Sequence, residues 1–511
     1  MSWEIKKNHG ISKKPAGDPV RAKKGIYAKA VATGLVFALM LNLTGCAGKS
    51  GETADNGKVN EMTNDNTNGL TSDSEVASTP AATAVPEPEA TATPVPEVAE
   101  PTAAPTGTGQ GDAASNEVTA SPQEIYAEAV EKSLVFTGNN YRLKKVIEKL
   151  RAGQDVFVAA LGGSVTEGAG ASVNDKGYAY LFAEDLKKTY APEGSDTVHF
   201  VDAGLSGTPS SLGIMRYKQD VLDLLGAVPD LLIIEFAVND WNEVTSGRAY
   251  ESLICEALTA NEECAVISLC SVSKGNWNTQ DVYLPIAKNY LVPLVSVRNA
   301  VFKSLNSKTA RIDESMYFYD EYHPASYGHT LMKNCLMNLL KTVDEAEPNV
   351  PKEIPEEAVK GRDFMNLVTV DALNTVEGLD PGSFGSTDDK VVTMYFTKAV
   401  SFPNNFCHKA GDENIPLKLK VKCKNILINF KTSTDAGFGS IAVYIDGEPV
   451  KIKYDGKLVD TIDGRKDGSW NNCNVALVLD EQEAAEHTME IKMAEGSEDK
   501  SFTILSIGYT E

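Results

Sequence analysis

Between residues 156 and 297 short apolar runs alternate with amphipathic stretches, and that alternation leaves few folds open. The runs are Val156–Leu161, Val198–Val201, Leu231–Phe236, Ala265–Leu269 and Leu294–Val297, with amphipathic stretches such as Tyr178–Tyr190 and Tyr250–Ala260 between them. A strand that is apolar on both faces must be covered on both. When such strands alternate with helices, the outcome is a parallel sheet between two helical layers. A helix over Ser326–Leu340 is expected to close this domain.

After a polar, proline-containing connection (Glu345–Glu357) the pattern turns to β. Val391–Phe396, Ile426–Phe430, Ile441–Ile445, Val475–Leu479, Thr488–Met493 and Phe502–Tyr509 read as strands. Asp446-Gly447 and Asp455-Gly456 are hairpin-turn signals. The expected organisation is an α/β domain over 121–345, a connector over 346–365 and a β-sandwich, jelly-roll-like, over 366–511.

Three turns of the α/β domain carry chemistry. The first run ends at Leu161-Gly162-Gly163-Ser164-Val165-Thr166-Glu167-Gly168. The second ends at Val201-Asp202-Ala203-Gly204-Leu205-Ser206-Gly207-Thr208, and the third at Ala237-Val238-Asn239-Asp240. All three lie just past the C-terminal ends of strands, where open α/β sheets place their sites. Far downstream stands Asp320-Glu321-Tyr322-His323-Pro324. A serine hydroxyl is a weak nucleophile until an oriented base takes its proton, and an Asp three residues before a His supplies base and orienter from one local structure. A phosphate loop would need Gly-Lys-Ser/Thr after the first strand, which is absent, and no dinucleotide fingerprint follows it.

These four blocks, in this order, resemble the SGNH, or GDSL-like, hydrolase superfamily. The resemblance covers roughly Ser121 to Val343 and implies a flavodoxin-like, three-layer fold. It also implies a nucleophile, Ser164, a base, His323, and its orienting acid, Asp320. The oxyanion hole would comprise the Ser164 and Gly207 amides and the Asn239 side chain. Metal and cofactor play no part in that chemistry. The sequence departs from the family pattern in Gly163 (Gly-Gly-Ser for Gly-Asp-Ser), in Asp202, where many relatives have Asn, and in Ala237, where many have Gly.

Charge and composition narrow the setting. The net charge is −23, and residues 1–45 hold eight Lys/Arg against Glu4 and Asp18, so the remainder is more acidic still. Such a surface repels nucleic acid and anionic headgroups and suits neutral polymers. A basic stretch ending at Lys29 precedes an apolar run, Ala30–Leu43, too short to span a bilayer as a stable helix. It leads into Leu43-Thr44-Gly45-Cys46, which resembles a bacterial lipobox. Residues 1–45 are therefore expected to be a signal peptide, with lipid on Cys46 tethering the protein outside the cytoplasm. Residues 46–120, rich in Thr, Ala, Pro and Glu, bury too little apolar area to fold and read as a stalk.

Seven further cysteines, an odd number without close pairing, argue against a disulfide framework and against zinc and read as small buried hydrophobes. His329 is expected to pack against the preceding loop, His199 to be structural, Asp240 to form a turn, and Glu235 to be buried and paired, with Arg216 as a partner. Trp470, beside Asn471 and Asn472, fits a sandwich core more readily than a sugar-stacking surface.

The expected activity is that of a cell-surface serine esterase removing acyl groups, O-acetyl above all, from a polysaccharide such as xylan or mannan. Two other readings compete: an O-acetylesterase or acetyltransferase acting on the host's own wall polymers, and a glycan-binding lipoprotein without activity.

Overall fold

In the computed structural model six strands form the first sheet: β1 (Leu134–Phe136), β2 (Val156–Gly162), β3 (Val198–Gly204), β4 (Leu231–Glu235), β5 (Ala265–Cys270) and β6 (Leu294–Ser296). Their order is β1-β6-β5-β4-β2-β3. The five strands read from the sequence are parallel, and β1, which no apolar run announces, adds an antiparallel edge on β6. The structure describes residues 121–172, 177–302, 312–390 and 402–511. The expected signal peptide, Cys46, the expected stalk and the expected strand Val391–Phe396 lie outside the described residues.

Strand alternation explains the layers. Val156, Val158 and Ala160 of β2 and Leu231 and Ile233 of β4 face one core, shared with Val146, Phe182, Leu331 and Leu336 of the covering helices. Ala159, Leu161, Leu232 and Ile234 face a second core against Leu212, Tyr250, Leu253 and Ile286. Each fully buried aliphatic side chain contributes about 1.5–3 kcal/mol, so neither face can be left open. The helix Ser326–Glu345 closes the first layer, as the sequence suggests. The first described helix, Pro122–Lys132, starts at a capping box in which Ser121 and Glu124 bond each other's backbone.

Among the described residues of the C-terminal region, eleven strands pair antiparallel in one network. Two long, bulged strands, Leu417–Lys431 and Cys473–Met493, pair with each other and tie the network together. The polar stretch Asp480–Glu486 continues the second of these where the sequence pattern breaks it in two. Both Asp-Gly pairs form turns with positive φ (Asp446 53°, Gly447 87°; Asp455 48°, Gly456 70°), as hairpin connections require. Ile426, Ile428, Phe430, Ala476 and Ile504 fill this region's own core. Leu427, Cys473, Val475, Leu477 and Leu505 point the other way and join the core of the α/β sheet. Arg248 seals the seam with a paired contact to Asp480 (2.8 and 2.7 Å) and stacks over Phe364.

Candidate active site

Sheet register brings the turns together. Gly162 of β2 is level with Gly204 of β3 on one side and with Glu235 of β4 on the other. The chain leaves β2 for β3, then crosses back to β4, so the end of β2 is the switch point where α/β sheets bind ligands. Ser164 begins a one-turn helix there, Ser164–Glu167. Gly204 is pressed against this turn: a β-carbon on it would come 2.1 Å from the Glu167 amide nitrogen.

His323 reaches Ser164 across 159 residues of chain, with Nε2 2.8 Å from Ser164 Oγ. Its Nδ1 lies 2.8 Å from Asp320 Oδ2 and 3.0 Å from Oδ1. The Tyr322 and His323 amides also donate to Asp320 Oδ1, each at 2.9 Å. Burial pushes the Asp320 pKa up, but His323 and the two amides outweigh it and hold the carboxyl below its usual range. A bridge between Phe318 and Pro324 closes this loop at its base. Gly170 lets the turn after Ser164 approach it; a β-carbon at 170 would lie 2.3 Å from the Pro324 carbonyl oxygen.

Gly207 has φ +73°, a conformation that glycine takes without strain. The Asn239 amide sits directly against Gly163: a β-carbon at 163 would be 2.2 Å from Asn239 Oδ1. Any side chain at 163 would therefore require the Asn239 amide to shift. Asn239 Oδ1 has no hydrogen-bond partner among the described residues. Ser164, Asp320, His323, Gly207 and Asn239 thus form one constellation, while Cys46 lies outside the described residues.

Other expected residues find structural places. His329 is buried, accepts from the Tyr178 amide (3.1 Å) and donates to the Ala169 carbonyl (3.0 Å). Burial lowers its pKa to about 4, so it is neutral and pins the loop after Ser164. His199 pairs with Asp155 and stacks on Phe157 near the surface. Glu235 is buried but takes Ser271, Thr166 and the Ala237 amide as its partners. Arg216 is not among them. It donates instead to the carbonyls of Gly162 (2.7 Å) and Ala203 (2.6 Å) and to Asp220, bracing the ends of β2 and β3. The seven described cysteines are all free and buried. No group of three or more His, Cys, Asp or Glu among the described residues is arranged to hold a metal.

Trp470 is the residue sequence reasoning misplaced. It is 59% exposed, and its indole edge lies against Gly207, 3.2 Å from where a β-carbon there would sit. The Ser469 hydroxyl fixes the loop, lying within hydrogen-bond distance of the Thr432 carbonyl (2.7 Å) and Asn472 Oδ1 (2.6 Å) and donating its one proton between them. The neighbouring asparagines are a turn signal, but nothing local shows which domain that turn faces. Trp241, next to Asp240, is 62% exposed and packs edge-to-face on Trp277. Tyr319, just before the Asp320–His323 loop, and Tyr322, within it, are also exposed.

Residues 160–331 match the GDSL-like Lipase/Acylhydrolase family. The chain carries a GDSL-like hydrolase domain, and the protein is an ester-hydrolysing enzyme. No curated protein is similar enough to this chain to be matched with it. Among solved structures the chain resembles a two-domain esterase active on acetylated mannans (24% identity, 75% of this chain and 99% of that one, TM-score 0.63). It resembles equally that type of esterase co-crystallized with mannopentaose (24% identity, 75% and 98%, TM-score 0.62). At that identity the likeness is one of fold, and it extends over the GDSL-like domain and the antiparallel region together.

Proposed function

We propose that the protein is a serine esterase that removes O-acetyl groups from a polysaccharide of the mannan or xylan type. The observation that carries this reading is the Asp320–His323–Ser164 relay, aligned within hydrogen-bond reach beside Gly207 and Asn239. His323 Nε2 takes the Ser164 proton as Oγ attacks the acetyl carbonyl. Asp320 keeps the other proton on Nδ1 and stabilises the imidazolium. The amides of Ser164 and Gly207 and the Asn239 side chain receive the oxyanion; one such donor typically contributes about 3–4 kcal/mol. When the tetrahedral species collapses, His323 protonates the departing sugar oxygen and leaves an acetyl-serine. Water, deprotonated by His323, releases acetate and restores the hydroxyl.

The polysaccharide part rests on the aromatic rim. Trp470, against Gly207, and Trp241, two residues after Asn239 and packed on Trp277, offer exposed aromatic surface of the kind sugar rings stack on. The acidic surface suits a neutral polymer, and the fold neighbour's activity on acetylated mannans makes mannan the first substrate to test. We place the enzyme outside the cytoplasm, tethered through lipid on Cys46, on the basic, apolar and Leu-Thr-Gly-Cys succession alone.

Acetate release from acetylated mannan, xylan and peptidoglycan, compared at equal acetyl content, tests the substrate. Preference for a plant-type glycan is expected, whereas preference for peptidoglycan would point to the cell's own wall. Loss of labelled-palmitate incorporation in Cys46→Ala tests the anchor.

A further inference from the structure

Ser206-Gly207-Thr208-Pro209-Ser210, the turn that carries one proposed oxyanion donor, is gripped at both ends by carboxylates. At one end Glu167 Oε2 accepts both the amide (3.0 Å) and the hydroxyl (2.6 Å) of Ser206. Glu167 is buried and stands three residues after Ser164, on the same helical turn. At the other end Asp240 accepts the amide (2.8 Å) and the hydroxyl (2.7 Å) of Ser210, through its two oxygens. Asp240 follows Asn239, and its carboxylate is held in turn by the Tyr283 hydroxyl. Thr208 closes the turn from within by donating to the Leu205 carbonyl (2.7 Å).

We infer that Glu167 and Asp240 are paired positioning residues, which tie the Gly207 amide to the Ser164 turn and to the Asn239 loop and so set the spacing of the three oxyanion donors. The inference rests on the esterase reading above. Each donor sits past a different strand end, and the backbone bonds between these ends stop at Leu205 N–H to the Gly162 carbonyl (3.0 Å) and Gly163 N–H to the Glu235 carbonyl (3.3 Å), short of Gly207. A left-handed glycine turn has shallow preferences of its own. Donors must lie within about 3 Å of the developing charge, and a misplacement of about 1 Å can cost on the order of a hundredfold in rate. Each carboxylate accepts two donors of one serine, which fixes orientation as well as distance.

The test uses full-length Glu167→Ala and Asp240→Ala, their conservative partners Glu167→Gln and Asp240→Asn, and 4-nitrophenyl acetate as substrate. The alanine variants are expected to lower kcat roughly 10- to 100-fold with KM within about twofold, because a ground-state ester barely uses the hole. The amide variants keep an acceptor oxygen and are expected to recover most of that loss. If an alanine variant does not fold, the Ser206→Ala, Ser210→Ala double variant removes only the two hydroxyl bonds and is expected to lower kcat at constant KM. Wild-type kcat in the folded variants, or a rise in KM with kcat retained, would overturn the inference. Ser164→Ala distinguishes the two levels: if it is inactive while the carboxylate variants match wild type, the inference fails and the esterase reading stands. Turnover retained in Ser164→Ala would remove both.

Discussion

Around Ser164, the α/β half of the molecule links carboxylates, hydroxyls, Arg216 and strand-end carbonyls into a framework of short polar contacts. The antiparallel half places an exposed indole on a tight loop instead, and sends Leu427, Val475, Leu477 and Leu505 into the neighbouring core. On the proposed function, one half holds the reacting atoms in place and the other shapes what approaches them. Because their apolar cores are continuous, the indole is positioned by the fold and not by a linker. The comparison separates effects on chemistry, which should follow the first half, from effects on polymer recognition, which should follow the second.

The largest separation is expected from Asp320→Asn, which leaves the His323 contact but favours the wrong imidazole tautomer. A loss in kcat on the order of 10⁴-fold on any acetyl ester is expected, and equal losses on 4-nitrophenyl acetate and on mannan would place the residue in the chemistry. Gly163→Ala comes next. Its methyl would displace the Asn239 amide, and kcat should drop roughly 10²- to 10³-fold, as when one oxyanion donor is removed. A crystal structure of that variant with Asn239 unmoved and kcat intact would break this part of the comparison.

Trp470→Ala addresses the other half. The kcat/KM on acetylated mannan should fall about tenfold more than on 4-nitrophenyl acetate, the size expected from a lost aromatic contact of about 1–1.5 kcal/mol. Equal effects on both substrates would assign the indole to the site's own packing.

The last effect concerns stability and leaves the chemistry untouched. Burial lifts the Asp202 carboxyl to about 7, with the Gly204 amide opposing and the Glu167 charge assisting the shift. A carboxyl raised on folding stabilises fully below its unfolded value, and that contribution is lost as pH rises through about 7. Asp202→Asn keeps an acceptor for Gly204 and cannot ionise. Urea unfolding should therefore show the stability decline from pH 4 to pH 8 reduced by up to about 4 kcal/mol.

Much of the α/β half was legible because its signals are local: an apolar run and the turn after it place Ser164, Gly207 and Asn239, and Asp320 and His323 share one loop. β1 was not, since three residues give no period and its pairing depends on β6. In the antiparallel half, Leu417–Cys423 alternates apolar residues with lysine, a period-two signal that could have extended the strand found at Ile426–Phe430. Glu167 and Asp240 stand beside recognised residues, yet only the folded turn reveals what they hold. Trp470 misled for the opposite reason. Its local setting resembles a core turn, while its place beside Gly207 is fixed by contacts more than 200 residues away in sequence.

The most direct test of the account is covalent. Treating the enzyme with a fluorophosphonate and mapping the adduct by peptide mass spectrometry should find it on Ser164, with the rate of labelling collapsing in His323→Ala. An enzyme that releases acetate while Ser164 stays unlabelled, or that is labelled at another residue, would contradict the relay on which the proposed function rests.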